Sequence, residues 1–389
     1  MKRSWLCLLL FMVFGFCLGV LPPPERSYNI LMLLPASSKS HRNVFMPLVE
    51  GLVERGHKIV MLSNNEKPIE NPNIKEIYHG LKHFRTDDMN MFEWRKNPAN
   101  IFSMFTTILP QMARDIYKIP EVKELYARRK EFDLIIINHM FNEFIYPFAH
   151  EMPFITIATS GYDPRQSSVF GNLPNPAYIP NLFGGVDLLS VFGRLRNTFL
   201  HIMPAFMWRI WEIVPLMQEE ITKHFPNIPP LLDIERNQSL ALMNTHFTLN
   251  MPLPLLPTQV EVGGMHCRPG NPLPEDLKTW IEEAGSAGVV YFSLGSVVRG
   301  NVMPDIYKNM FIEAFRKMKQ RVIWKFEGEL DDPPKNVLIK RWLPQQDILA
   351  HPNVKSFHHT CRGPQHSRSH LSRHPNARFT NFWRSTEEW

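Results

Sequence analysis

Residues 29–63 read NILMLLPASSKSHRNVFMPLVEGLVERGHKIVMLS, and the fold follows from the changes of period inside them. Asn29–Leu34 is a short, almost wholly apolar run closed by the turn residues Pro35-Ala-Ser-Ser, the pattern of a strand buried on both faces. From Val44 to Arg55 the apolar residues recur at helical spacing (Val44, Leu48, Leu52), and Gly56 stands where a helix ends in a left-handed residue. Lys58–Ser63 is apolar again and predicts the next strand. Strand, helix and strand joined by short turns make a β-α-β unit, which builds a parallel sheet.

The pattern continues outward. Phe132–Ile137 and Phe154–Ala158 predict two further buried strands, and the aromatic, helical stretches 80–130 and 185–225 are expected to cover the sheet. Pro252 to Pro274 is proline-rich and aperiodic and reads as a connection between domains. Beyond it Val289–Ser293 opens a second doubly wound pattern, with a helix near Ile306–Lys319 and strands at Arg321–Phe326 and Asn336–Lys340. The expected class is α/β with two Rossmann-like halves. The boundaries are a leader at 1–20, a first domain at 21–265, a linker at 266–285, a second domain at 286–355 and an aberrant tail at 356–389.

The chain has 389 residues, 44% of them hydrophobic and 21% charged, which excludes general disorder and suits two domains with separate cores. Lys2 and Arg3 precede the apolar run Trp5–Val20, the form of a secretory leader. Of its four cysteines, Cys7 and Cys17 lie in that leader, leaving Cys267 and Cys361. A disulfide framework is therefore excluded. The triplet Asn237-Gln-Ser239 is a glycosylation sequon that fits a luminal chain. Phe199–Pro215 is interrupted by His201, Arg209 and Glu212. It is expected to be a core or interface helix, with contact to a lipid surface as the alternative.

Ligands of open α/β sheets bind beyond the carboxyl ends of the strands, and two turns there carry chemistry. His41 follows the first strand and has the ordinary pKa of a general base, although position alone favours a capping or exposed histidine. Gly295 and Ser296 follow Val289–Ser293 and offer backbone N–H groups and a hydroxyl for phosphate. A third segment, Arg341-Trp-Leu-Pro-Gln345, sets Trp342 where a base could stack and Gln345 where it could be read by hydrogen bonds.

With Ser40-His41, Arg55-Gly-His57, Asn244-Thr-His-Phe-Thr-Leu-Asn, Val262-Gly-Gly, Tyr291-Phe-Ser-Leu-Gly-Ser and Trp342-Leu-Pro-Gln, the chain from about 28 to 355 resembles the animal, invertebrate-like UDP-glycosyltransferases of the secretory pathway. The resemblance implies the GT-B fold and inverting transfer of a hexose from a UDP-sugar, with UDP-glucose favoured, to a small lipophilic acceptor. It implies His41 as general base, Trp342 and Gln345 on the uridine, and Gly295 and Ser296 on the phosphates. It implies no metal or other cofactor. Many relatives orient the base with a carboxylate five residues past the aspartate of the Phe-Asp strand. Here that position is Asn138, and Glu143 and Glu151 are the substitutes considered. The endoplasmic reticulum lumen is the expected compartment. Peripheral membrane contact and a homo-oligomer are further candidate associations, and nucleic acid is not expected as a partner.

Residues 356–389 break the pattern, with no Val, Ile or Lys, but five Ser, five Arg and five His. His366, His370, His374 and Cys361 suggest zinc, but Pro364 and Pro375 oppose the helix it would need. Back-translated and read one nucleotide later, Phe357–Arg362 permits Phe-Ile-Thr-His-Ala-Gly, and the same frame continues into the family's donor-sugar motif. The expectation is a net one-nucleotide shift near codon 356, costing this chain those donor residues and the family's C-terminal membrane anchor. The alternative is an inactive truncated relative that holds lipophilic ligands or partners. Lys2, Arg3 and the tail account for most of the net charge of +6, so the body is nearly neutral.

Overall fold

The structure is a computed structural model that describes residues 21–359 apart from 68, 84–89, 91, 94–98, 162, 182–186, 249–251, 297 and 331. The leader at 1–20 and the tail beyond 359 lie outside the described residues. Strands β1 (Asn29–Leu34), β2 (Lys58–Ser63), β3 (Ile74–Tyr78), β4 (Leu134–Asn138), β5 (Phe154–Ala158), β6 (Leu240–Met243) and β7 (Gln259–Glu261) form a seven-stranded sheet in the order β3-β2-β1-β4-β5-β6-β7. Strands β8 (Val289–Ser293), β9 (Arg321–Lys325), β10 (Val337–Lys340) and β11 (Val354–His359) form a second sheet in the order β10-β9-β8-β11. Every pairing is parallel. In both sheets the order of strand addition reverses at one place, between β1 and β4 and between β8 and β11, and crevices for ligands form at such points.

Helices α1 (Lys39–Glu54), α2 (Ala99–Ile116), α3 (Pro120–Ala127), α4 (Pro164–Val169), α5 (Val191–Phe206), α6 (Ile213–His224) and α7 (Leu231–Glu235) belong to the first domain. Helices α8 (Glu275–Glu282), α9 (Asp305–Arg316) and α10 (Gln345–Leu349) follow. The period of two along β1 divides its core. Ile30, Met32 and Leu34 pack with Phe45 and Val49 of α1, while Leu31 and Leu33 pack with Met112 of α2 and Met217 of α6 on the other face. In the second domain Tyr291 packs with Leu277 and Ile281 of α8, and Phe292 packs with Trp324 and Phe315.

The structure corrects several expectations. α1 begins at Lys39, five residues before Val44, because the Ser38 hydroxyl accepts the His41 N–H and caps the helix. The proline-rich stretch contains β7, and the expected linker contains α8, whose Leu277 and Ile281 are buried in the second core. The boundary at Lys355 does not end a strand, since β11 continues along β8 to His359 with an irregularity between Val354 and Ser356. Phe199–Pro215 is not one core helix: Phe199, Ile202 and Trp211 are exposed, and the buried helix starts at Ile213.

Candidate functional site

Two buried amides hold the turn that follows β1. The Ala36 N–H donates to Asn142 Oδ1 (2.9 Å), and the Ala36 carbonyl accepts from Asn142 Nδ2 (3.3 Å) and Asn138 Nδ2 (3.4 Å). The chain then enters α1, whose first turn carries Lys39, Ser40 and His41. His41 is partly buried, and burial lowers its pKa from 6.5 to about 4, because the imidazolium loses hydration. The positive end of α1 acts in the same direction. The imidazole is therefore neutral at physiological pH and has a lone pair to accept a proton.

The second domain meets this turn with the loop after β8. Gly295 adopts φ 95°, a backbone region in which a side chain is strained. Its N–H donates to Ser293 Oγ (3.1 Å) and its carbonyl accepts from Lys325 Nζ (2.8 Å). Ser296 Oγ lies 3.0 Å from Ser40 Oγ, a hydrogen bond between the two domains. Trp342 is half exposed, and the Lys39 ammonium lies 4.1 Å from its ring centroid, a cation–π contact. Gln345 opens α10 close by. Ser40, Asn43, Arg268, Ser296, Lys325, Trp342 and Gln345 are among the residues lining one cleft of about 190 Å³. That is less than the ~300–1,000 Å³ usual for a small-molecule site, because side chains of the two domains touch across it.

Gly295, Ser296, Trp342 and Gln345 thus come together although 50 residues separate the first from the last. His41 does not line the cleft itself but stands next to Ser40, which does. None of the three residues considered as its partner bonds to its ring, and the exposed Glu151 pairs with Lys130 (2.9 Å). Asn138 donates to the Ala36 carbonyl, and its buried Oδ1 has no hydrogen-bond partner. Glu143 accepts from Trp208 Nε1 (2.6 Å). Burial raises its pKa, and the nearby Arg165 partly opposes that shift. Glu143 is therefore a member of a buried polar cluster and not a ligand of the imidazole. Sequence reading missed Lys39, Asn43, Arg268 and Lys325. Lys325 alone had a visible signal: it is the polar last residue of an otherwise buried strand, at the carboxyl edge where ligands bind.

Two parallel sheets facing each other across a cleft at their carboxyl edges define the architecture of nucleotide-sugar transferases of the GT-B type. Solved structures share it: the spinosyn forosaminyltransferase SpnP (TM-score 0.55, 13% identity, 90% of this chain and 80% of that one) and the calicheamicin glycosyltransferase CalG4 (TM-score 0.53, 15% identity, 90% and 79%). The UDP-glucoronosyl and UDP-glucosyl transferase family model matches residues 30–363, and the chain belongs to that family. Among its relatives are UDP-glycosyltransferase UGT5 of Dactylopius coccus, 34% identical over 85% of this chain and 65% of the relative, and UDP-glucosyltransferase 2 of the same insect, 33% identical over 87% and 67%. The chain thus spans about two thirds of the length of these relatives.

Proposed function

We propose that the protein is a UDP-sugar-dependent glycosyltransferase acting on a small lipophilic acceptor with inversion, and that UDP-glucose is its donor. The observation that carries the reading is the Ser40–Ser296 contact, which brings the turn bearing His41 against the loop suited to phosphate. In this reading Trp342 stacks on the uracil, Gln345 bonds to the nucleoside, and Ser296 with the Gly295 turn holds the diphosphate. Neutral His41 accepts the acceptor's hydroxyl proton as the oxygen attacks the anomeric carbon from the face opposite the leaving UDP. In this reading Asn138, whose buried Oδ1 has no partner, orients the imidazole once substrates are bound. An amide stabilises the imidazolium less than a carboxylate would.

We further infer that the chain is made in the secretory pathway, where the exposed Asn237 would carry a glycan, and that residues 356–389 result from a one-nucleotide shift. In this frame they lack the family's donor-sugar residues, so turnover by this polypeptide should be poor. The decisive experiment compares this chain, its frame-restored form and the restored form with His41→Ala, each given UDP-glucose or UDP-glucuronate and a panel of lipophilic phenols and alcohols. Glycoside from the restored form alone supports the proposal. Undiminished transfer by the His41→Ala form removes the base assignment, and exclusive use of UDP-glucuronate removes the donor assignment. Acceptor binding without any UDP binding would favour the ligand-holding reading instead.

A further inference from the structure

Helix α5 is oriented opposite to a surface helix in water. Its protein-facing side is small and polar. Gly193 and Asn197 are its buried residues, and Asn197 Nδ2 donates to the carbonyls of Pro176 (2.7 Å) and Ile179 (2.8 Å). One turn on, His201 Nε2 bonds to the Ile179 carbonyl at 3.0 Å. The outward side carries Phe192, Leu195, Phe199, Ile202 and Phe206, four of them between 58% and 79% exposed. Leu189, Val191, Ile210 and Trp211 extend the same exposed surface at both ends. A helix normally turns its apolar stripe to the core, and exposed apolar surface of this extent marks an interaction site.

Charge decides which partner fits. Residues 188–211 contain Arg194, Arg196 and Arg209 and no aspartate or glutamate. Arg209 is paired with the buried Glu235 (2.6 Å), while Arg194 and Arg196 are exposed. At about 100° per residue, these two arginines fall on opposite flanks of the apolar stripe, where a helix lying flat in a lipid interface carries its cations. Trp211, exposed at the far end, is of the type that settles at headgroup depth, and Phe192 adds apolar area at the other end. Among the described residues no helix is long and apolar enough to cross a membrane, so contact would be along the surface. We propose that α5 and the π-helical stretch Met207–Trp211 that continues it form a monotopic docking face that seats the first domain on a bilayer containing anionic lipid. This proposal stands apart from sugar transfer.

The test is flotation of the 389-residue chain with vesicles of phosphatidylcholine, with and without about a quarter phosphatidylserine. The wild type is expected to float with both and more strongly with the anionic vesicles. Phe199→Glu/Ile202→Glu should lower the partition coefficient at least about tenfold. Arg194→Gln/Arg196→Gln should remove the preference for anionic vesicles, about fivefold per arginine. The altered side chains are exposed, so the melting temperature of each variant should match the wild type. Failure of the wild type to float overturns the proposal, as does equal flotation of the glutamate variant. A wild-type dimer in light scattering that Phe199→Glu dissociates would also overturn it, because the face would then be covered by a second copy.

Discussion

His41→Gln should change how stability depends on pH. In the unfolded chain the imidazole titrates near 6.5, and in the folded chain burial lowers this to about 4. As pH falls through 6.5 the unfolded state takes up the proton first, so stability is fully present above about pH 7.5 and is lost between 6.5 and 4. The shift corresponds to about 3 kcal/mol at the acid limit and about 2 kcal/mol at pH 5. His41 retains some solvent contact, which reduces the expected loss at pH 5 to about 1–2 kcal/mol. The assay is urea unfolding of both proteins at about pH 7.5 and about pH 5, with the two pH-dependent losses subtracted so that the other histidines and carboxylates cancel. The wild type should lose about 1–2 kcal/mol more than His41→Gln. Parallel losses would show that His41 titrates like a solvated histidine, and would refute the argument that it is held neutral for proton acceptance.

Trp342→Ala should weaken UDP binding by calorimetry by about 5- to 150-fold, the worth of one base–aromatic stack; an unchanged affinity would place the base elsewhere. Lys39→Ala should tighten UDP binding about two- to fivefold by releasing the ring that the ammonium covers, whereas weaker binding would make Lys39 a donor ligand. Gly295→Ala forces a side chain into φ 95° and should lower the unfolding free energy by at least about 1 kcal/mol, read from denaturant midpoints. Trp208→Phe leaves the buried Glu143 without its indole donor and should cost about 1–3 kcal/mol in the same assay.

Much of this fold is written locally. The change from a run at 29–34 to helical spacing and back placed β1, α1 and β2 because burial on both faces of a parallel sheet demands continuous apolar strands. Among the strands that escaped sequence reading, β3, β6 and β7 are short or carry solvent-facing residues, as in Ile74-Lys-Glu-Ile-Tyr, so their pairing depends on neighbours already in place. The start of α1 was misplaced because capping by Ser38 is a single hydrogen bond with no periodic signal.

The sequence by itself determined the class of fold and where the separate pieces of the proposed site stand: His41 after one strand, Gly295 and Ser296 after another, Trp342 and Gln345 after a third. Strand–turn punctuation is local, and so is the rule that ligands sit at carboxyl ends. Only the tertiary structure decided that Lys39 covers Trp342, that Ser40 meets Ser296, that Glu143 turns to Trp208 and that α5 faces outward. Each of these joins residues from separate elements or sets which side of a helix meets the protein. Amphipathic periodicity shows that a helix has two faces, but the neighbours that form around it settle which face is buried.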